Sequence, residues 1–271
     1  MINISVDPVA FAIGSHEVRW YGVIVSLAVV VVVLWAYQRV SRIKETLTVP
    51  PDIILAPVGI ASGIAGAKLV HVLERWHYYV QHPAEVFSGA GLAVYGGIIG
   101  AALGIWLYLR FSSRGKERVR DFFSVADLIA PGIILAQAIG RVGCTVNGCC
   151  WGKPAADWVP WSVVYTHPNS YAPLNIPLHP TQVYEIIFAL VCFVILLRLT
   201  GRLKPAGSVF MVYFIMYSAW RIGIGFLRDA SVYFAFGLSQ AQILSIVVLT
   251  ASVFIFIYRR HRFREEEKPS G

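Results

Sequence analysis

The chain has 271 residues and a formal net charge of +8, yet only 14% of its residues are charged and 57% are hydrophobic, with a mean hydropathy of +0.64. That balance lies far from an ordinary soluble domain and places the chain in a bilayer. It excludes a soluble enzyme, and with no basic patch interleaved with aromatics it also excludes nucleic acid as a partner.

The apolar residues fall into about seven runs, each close to the roughly 20 residues that a spanning helix needs. The first, residues 18–37, lacks the basic lead and small-residue cleavage site of a signal peptide and is read as retained. Runs two and three, residues 53–73 and 91–109, carry glycines every fourth position, Gly59 and Gly63 in one and Gly96, Gly100 and Gly104 in the other. Such small faces let two helices approach closely. The fourth, residues 122–140, contains Pro131, which is expected to kink it or to free a carbonyl. Residues 141–180 are rich in Pro, Gly, Trp and Asn and read as a small extracytoplasmic cap, with a short strand in "WVPWSVVYTH". Runs five to seven follow at residues 182–197, 209–227 and 241–258. The fold class is therefore an all-α integral membrane protein of about seven transmembrane helices, a single membrane domain over residues 1–271 that includes the cap.

Sixteen of the twenty-three Lys and Arg residues collect on alternate loops and at the C-terminus. By the positive-inside trend that side is cytoplasmic, which turns the N-terminus and the cap outward. Arg19, Lys68, Arg75, Arg141, Lys153, Arg221 and Arg228 stand against the trend. Snorkelling explains Arg19, Arg75 and Lys153, but explains Arg141 and Arg221 poorly, since a cation at a helix centre costs about 2.5–3.5 kcal/mol. In "WRIGIGFLR" the positions 221, 225 and 228 share one helical face, so two guanidiniums and a glycine are expected to line one groove. Such a groove wants an anion. A lipid phosphate suits the bidentate guanidinium fork, and pairing with Asp127, Glu185, Glu74 or Asp229 is the competing explanation, the last two also reading as solvated.

Four motifs occur in order: "VAFAIGSHEVRWYG" entering the first run, "DLIAPGIILAQAIGRVG" followed by "NG" and "WG", "HPTQVYE" opening the fifth, and "WRIGIGFLR" in the sixth. In this the chain resembles the prolipoprotein diacylglyceryl transferase family over nearly its whole length. The resemblance implies a multi-pass enzyme of the bacterial inner membrane that moves the diacylglyceryl group of phosphatidylglycerol onto the lipobox cysteine of a prolipoprotein signal peptide, releasing glycerol phosphate. It implies Arg141 as the first phosphate ligand and Arg221 as the second. Tyr21, Asn147 and Gly152 match positions near the lipid headgroup. His179, Gln182, Tyr184 and Glu185 match the family's HPxQ motif, where helix initiation competes with catalysis as their role. A paralogue acting on another acceptor, or a non-catalytic phospholipid-binding scaffold, is the alternative; a transporter is disfavoured by the lack of an inverted repeat.

The chain also departs from the family pattern. Tyr95 stands where a histidine is expected before two glycines, and with a pKa near 10 it is a poorer base at neutral pH. Cys144 directly follows Gly143 in place of an asparagine, while Cys149 and Gly225 stand where acidic residues are expected. Cys192 reads as a small packing residue. A disulfide among Cys144, Cys149 and Cys150 is the leading reading on an oxidising face, ahead of free thiols. A thiol carrying the lipid covalently is a further alternative. A zinc site using these cysteines with His167 or His179 matches no established spacing, so neither a metal nor any other cofactor is expected.

Overall fold

The structure is a computed structural model that describes residues 1–14, 16–42, 55–87, 94–112, 117–229 and 237–266. Its long helices are α1 (Trp20–Arg42), α2 (Leu55–Glu74), α4 (Val94–Ser112), α5 (Glu117–Asn147), α6 (Thr181–Leu199), α7 (Ser208–Gly225) and α8 (Gln240–Glu266), with a short α3 (Trp76–Gln81) after α2. Six of them are long and apolar enough to cross a membrane; α4 contributes a shorter apolar stretch, Ile99–Tyr108. Every run read from the sequence is thus a helix. Four short strands, β1 (Ile2–Ile4), β2 (Val9–Ile13), β3 (His16–Arg19) and β4 (Val163–Tyr165), and a 3-10 turn at Pro83–Phe87 complete the regular structure among the described residues.

The chain divides into two compact units, one of residues 36–125 and one of residues 1–35 with 126–271. In the first, α2 packs on α4 through the glycine faces. An ideal Cβ on Gly66 would stand 2.8 Å from the Gly100 Cα, and one on Gly63 would stand 3.3 Å from the Gly97 carbonyl oxygen. Backbone therefore meets backbone, and no rotamer change relieves an added side chain. Gly100→Val should cost about 1–3 kcal/mol by overpacking. Thermal unfolding in detergent checks this, with Gly22→Ala as the silent control, since nothing lies within 4 Å of a Cβ there.

The second unit is built on α5, α6 and α7. Ala130, Ile134 and Ala138 of α5, Ala189, Cys192 and Leu196 of α6, and Val209 and Tyr213 of α7 form its core. Their i, i+3, i+4 and i+7 spacings put each set on one helical face. On α6 the opposite face exposes Val183, Ile187, Leu190, Val191 and Val194, as a lipid-facing surface would. Cys192 is fully buried, as its reading as a packing residue expects. Arg141, Arg221 and Arg228 pair with Glu185 and not with Asp127 among the described residues. The Asp127 carboxylate accepts from the backbone N–H groups of Gly207 (2.7 Å) and Phe210 (2.8 Å) and so caps the start of α7. Helix α5 runs through Pro131 as one helix, and beside it the Trp35 indole N–H donates to the Leu128 carbonyl at 3.0 Å.

Two boundaries differ from the sequence reading. Residues 141–147, assigned above to the cap, are the last turns of α5, which stops only where Gly148 turns left-handed at φ 70°. Glycine reads as a stop signal, so the "GRVG" stretch looked terminal, yet Gly143 lies inside the helix and close to α1: an added Cβ would lie 3.3 Å from the Ile24 Cβ and 3.4 Å from the Tyr21 Cα. The N-terminal residues, read as leading straight into the first span, instead form β1, which pairs parallel with β4, and the β2–β3 hairpin. The strand expected in "WVPWSVVYTH" is β4. Around it Val163, Tyr165, Ala172 and Leu178 make a small core that Ile4 and Trp151 flank.

Candidate active site

Helix α6 buries Thr181, Gln182, Glu185, Ala189, Cys192 and Leu196 along one face. The lower part of that face is the apolar core, and its first turns are polar. Glu185, with its side chain 6% exposed, is the hub of the site: one carboxylate oxygen takes the Arg141 Nε, and the other takes Arg221 Nη1 at 3.2 Å and Arg228 Nη1 at 3.4 Å. One carboxylate against three guanidiniums leaves two positive charges. Each guanidinium gives Glu185 a single nitrogen, so most of each fork's donors remain for another acceptor. Salt-bridge pairing, one of the two alternatives posed above, is present here, and it leaves guanidinium donors unused by Glu185.

The cap brings Arg228 into the cluster. Residues 152–155 run as a ribbon between two neighbours: Gly152 N–H donates to the His179 carbonyl (3.2 Å), His179 N–H to the Lys153 carbonyl (3.1 Å), and Lys153 N–H to the Leu227 carbonyl (2.8 Å). Gly152 contributes through this close approach, since a Cβ on it would lie 2.7 Å from the His179 Cβ. Gly225 does not line a groove with the two arginines. It is buried against α8, where a Cβ would stand 2.6 Å from the Gln242 side chain. Helix α7 ends at Gly225, so the face projected through residue 228 breaks there and the following turn carries Arg228 round to Glu185.

The motif starts α6 through its backbone: Pro180 is the N-cap, its carbonyl accepts from the Val183 and Tyr184 N–H groups, and no N-cap side chain caps the turn. Its polar groups reach across to the end of α5 instead. The Thr181 hydroxyl donates to the Cys150 carbonyl and the Gln182 amide to the Cys149 carbonyl, both at 2.9 Å. The Gln182 amide also donates to the Tyr165 hydroxyl at 3.4 Å, and that hydroxyl donates to the Thr145 carbonyl at 3.1 Å. Burial raises the Tyr165 phenol above its ordinary value, so it stays a donor. Tyr184 accepts from the Trp161 indole at 2.6 Å, and the His179 Nδ1 is buried with no hydrogen-bond partner among the described residues.

Cys144, Cys149 and Cys150 are free thiols, not a cystine, and their Sγ atoms all lie within 4.8 Å of one another. Arg141 Nη1 donates to Cys144 Sγ at 3.7 Å. The neighbouring Cys144 and Cys149 thiols, followed by the Arg228 and Arg141 guanidiniums, hold Cys150 below the ordinary thiol range. Asn147, the last residue of α5, is buried, and its Oδ1 accepts from Arg19 Nη1 at 3.3 Å. Arg19 also stacks on the Tyr171 ring, 4.3 Å from its centroid, and donates to the Asn169 carbonyl. Snorkelling is therefore the wrong account of Arg19; its neighbours lie about 130 to 150 residues away and left no local signal. Tyr21, in the first turn of α1, packs beside Gly143. Tyr95 lies in the first turn of α4, and its side chain is outside the described residues.

Asp7 ties the N-terminal segment to the cap. Its Oδ1 accepts from the Val9 N–H (2.9 Å) and the Asn169 side-chain amide (3.2 Å), and these bonds, in that order, lower its pKa from 3.8. A depressed carboxylate contributes stability above its unfolded value and loses it as the pH falls through the folded one. A spin label on residue 168 should therefore gain mobility below about pH 3.8 in the wild type. In Asp7→Ala it should be mobile, with no such transition, across the whole range.

A family model described as prolipoprotein diacylglyceryl transferase matches residues 8–258. Three similar chains are each named phosphatidylglycerol–prolipoprotein diacylglyceryl transferase. One from Dehalococcoides mccartyi is 42% identical over 268 residues, covering 99% of both chains. One from Clostridium tetani is 32% identical over 94% of this chain and 98% of its own, and one from Staphylococcus epidermidis is 32% identical over 96% and 91%.

Proposed function

The chain belongs to the prolipoprotein diacylglyceryl transferase family, and we infer that it transfers the diacylglyceryl group of phosphatidylglycerol to a prolipoprotein, with release of glycerol phosphate. The observation that carries this reading to particular atoms is the trio of guanidiniums sharing the single carboxylate of Glu185. A phosphodiester is the anion a bilayer offers in quantity. Its oxygens match the forked donors that Arg141, Arg221 and Arg228 do not spend on Glu185. The acceptor is the thiol of the lipobox cysteine, whose sulfur attacks the glycerol carbon next to the phosphate ester oxygen. The carbon–oxygen bond breaks, its electron pair passes to the phosphate, and guanidiniums already in position stabilise the growing charge better than mobile water would.

Arg141 is the first phosphate ligand, with Arg221 and Arg228 beside it. Asn147 and Tyr21 border the headgroup, and Gln182, His179 and Gly152 hold the loop and ribbon that frame it. Tyr95 is assigned a hydrogen-bond donor role. The enzyme sits in the bacterial inner membrane with the cap and N-terminus outward and the basic C-terminus in the cytoplasm, as the distribution of Lys and Arg supports. Complementation of a strain depleted of its own transferase tests the whole reading. Restored growth with thioether-linked lipid on a reporter lipoprotein is the expected result. A stably inserted chain that restores neither is a scaffold or acts on another acceptor.

A further inference from the structure

We propose that Cys144, Cys149 and Cys150 bind one zinc ion as a three-thiolate site, and that the open fourth position takes the acceptor cysteine of the prolipoprotein. The second half rests on the transferase reading above; the first half stands without it. The absence of a metal was expected from linear spacing, with histidines as the missing ligands. The fold supplies a different set. Cys144 lies on the last turns of α5, then the left-handed residues Gly148 (φ 70°) and Cys150 (φ 62°) reverse the chain. The Cys149 N–H donates to the Cys144 carbonyl at 3.1 Å, and the three Sγ atoms converge within 4.8 Å. A tetrahedral zinc with bonds of about 2.3 Å spaces its sulfurs about 3.8 Å apart, so small side-chain rotations suffice.

Three further features favour a metal over the alternatives. A disulfide consumes two thiols and strands the third. The loop also does not need a cystine to hold its shape, because Thr181 and Gln182 grip the carbonyls of Cys150 and Cys149. Three thiolates around one zinc carry net negative charge, which is costly to bury alone. Here Arg141 stands 3.7 Å from the Cys144 sulfur, within a cluster that has positive charge in excess.

Three protein ligands with a vacant fourth position are the pattern of a catalytic zinc rather than a structural one. The acceptor enters as a thiol, displaces the water that fills the fourth position, releases its proton to solvent and is held as a zinc-bound thiolate. Its sulfur lone pair then forms the carbon–sulfur bond as the carbon–oxygen bond breaks toward the phosphate. The product is a neutral thioether, a poor zinc ligand, which leaves as water returns. No electron is gained or lost, and no co-reactant is required. The same chemistry argues against the covalent relay considered above. A diacylglyceryl group on an enzyme cysteine would be a thioether, and a thioether does not hand its carbon to a second thiol under these conditions.

The test uses the full chain in nanodiscs, purified without chelator. Elemental analysis should find one zinc per chain, and Cys144→Ser, Cys149→Ser and Cys150→Ser should each bind zinc about a hundredfold more weakly or worse, beyond what losing a supporting partner does. Cys192→Ala, altered in the helical core, should keep its zinc. Cobalt substituted for zinc should show sulfur-to-metal charge transfer, and a lipobox peptide should shift its ligand-field bands while the same peptide with serine for cysteine does not. Fully active wild-type protein that is free of metal, or that carries a cystine among these residues, overturns the proposal. Zinc present with no response to the cysteine peptide overturns its catalytic half. If the chain fails to lipidate prolipoprotein but binds zinc through these thiols, it is the transferase reading that fails.

Discussion

Arg141→Ala is expected to lower the rate of lipid transfer to a lipobox peptide at least about a hundredfold, near 2.7 kcal/mol of transition-state stabilisation. Arg141 reaches Glu185 through Nε and Cys144 through Nη1, and it sits among the turns of α5 that the cap covers. Arg221 and Arg228 still hold Glu185 when it is lost. The chain should therefore stay folded, and size-exclusion behaviour in detergent should not change. Arg141→Lys should recover little, because an ammonium places one compact charge where the planar fork made paired contacts. Proteoliposomes with phosphatidylglycerol give the measurement. Wild-type turnover in Arg141→Ala would remove the residue from the phosphate site.

Glu185 should behave differently, and the contrast separates binding from orientation. Glu185→Ala leaves three partly buried guanidiniums without their shared partner, a change that typically costs about 3–5 kcal/mol when one side of a buried ion pair is removed. Loss of folded protein on heating in detergent is the expected readout. Glu185→Gln keeps an acceptor oxygen and removes the charge. It should fold, and its more positive pocket should hold an anionic headgroup more tightly, so KM for phosphatidylglycerol falls. The guanidiniums are then no longer aimed, so kcat should drop at least about tenfold. A variant with KM raised and kcat unchanged would mean that Glu185 meets the substrate itself instead of orienting the arginines.

Much of this was legible in the chain before folding. Long apolar runs are local signals, and each became a helix. Arg141, Arg221 and Glu185 stood out because charge in an apolar run is expensive and needs a reason. Their convergence was not legible, since it depends on which face of α6 turns toward α5 and α7, and an apolar helix surrounded by lipid and protein shows little asymmetry in its pattern. Arg228 was visible as a member of a helical face, but the helix ends three residues before it. Gly225 was misread for the same reason, since periodicity gives a face and not the neighbour on it. Gly143 hid the continuation of α5 because the residue that ends helices also lets them touch. The three cysteines looked like a redox pair with one left over until two left-handed residues brought all of them to one point.

The parallel pairing of β1 with β4 carries a consequence for biogenesis. Ile2 is matched with Val163, so β1, once made, has to wait for a partner about 160 residues behind it. At about 5–20 residues per second, that is roughly ten to thirty seconds during which the strand has no sheet to join. By then four of the long helices, α1, α2, α4 and α5, have been made. The cap sheet is thus completed by a strand made long before its partner.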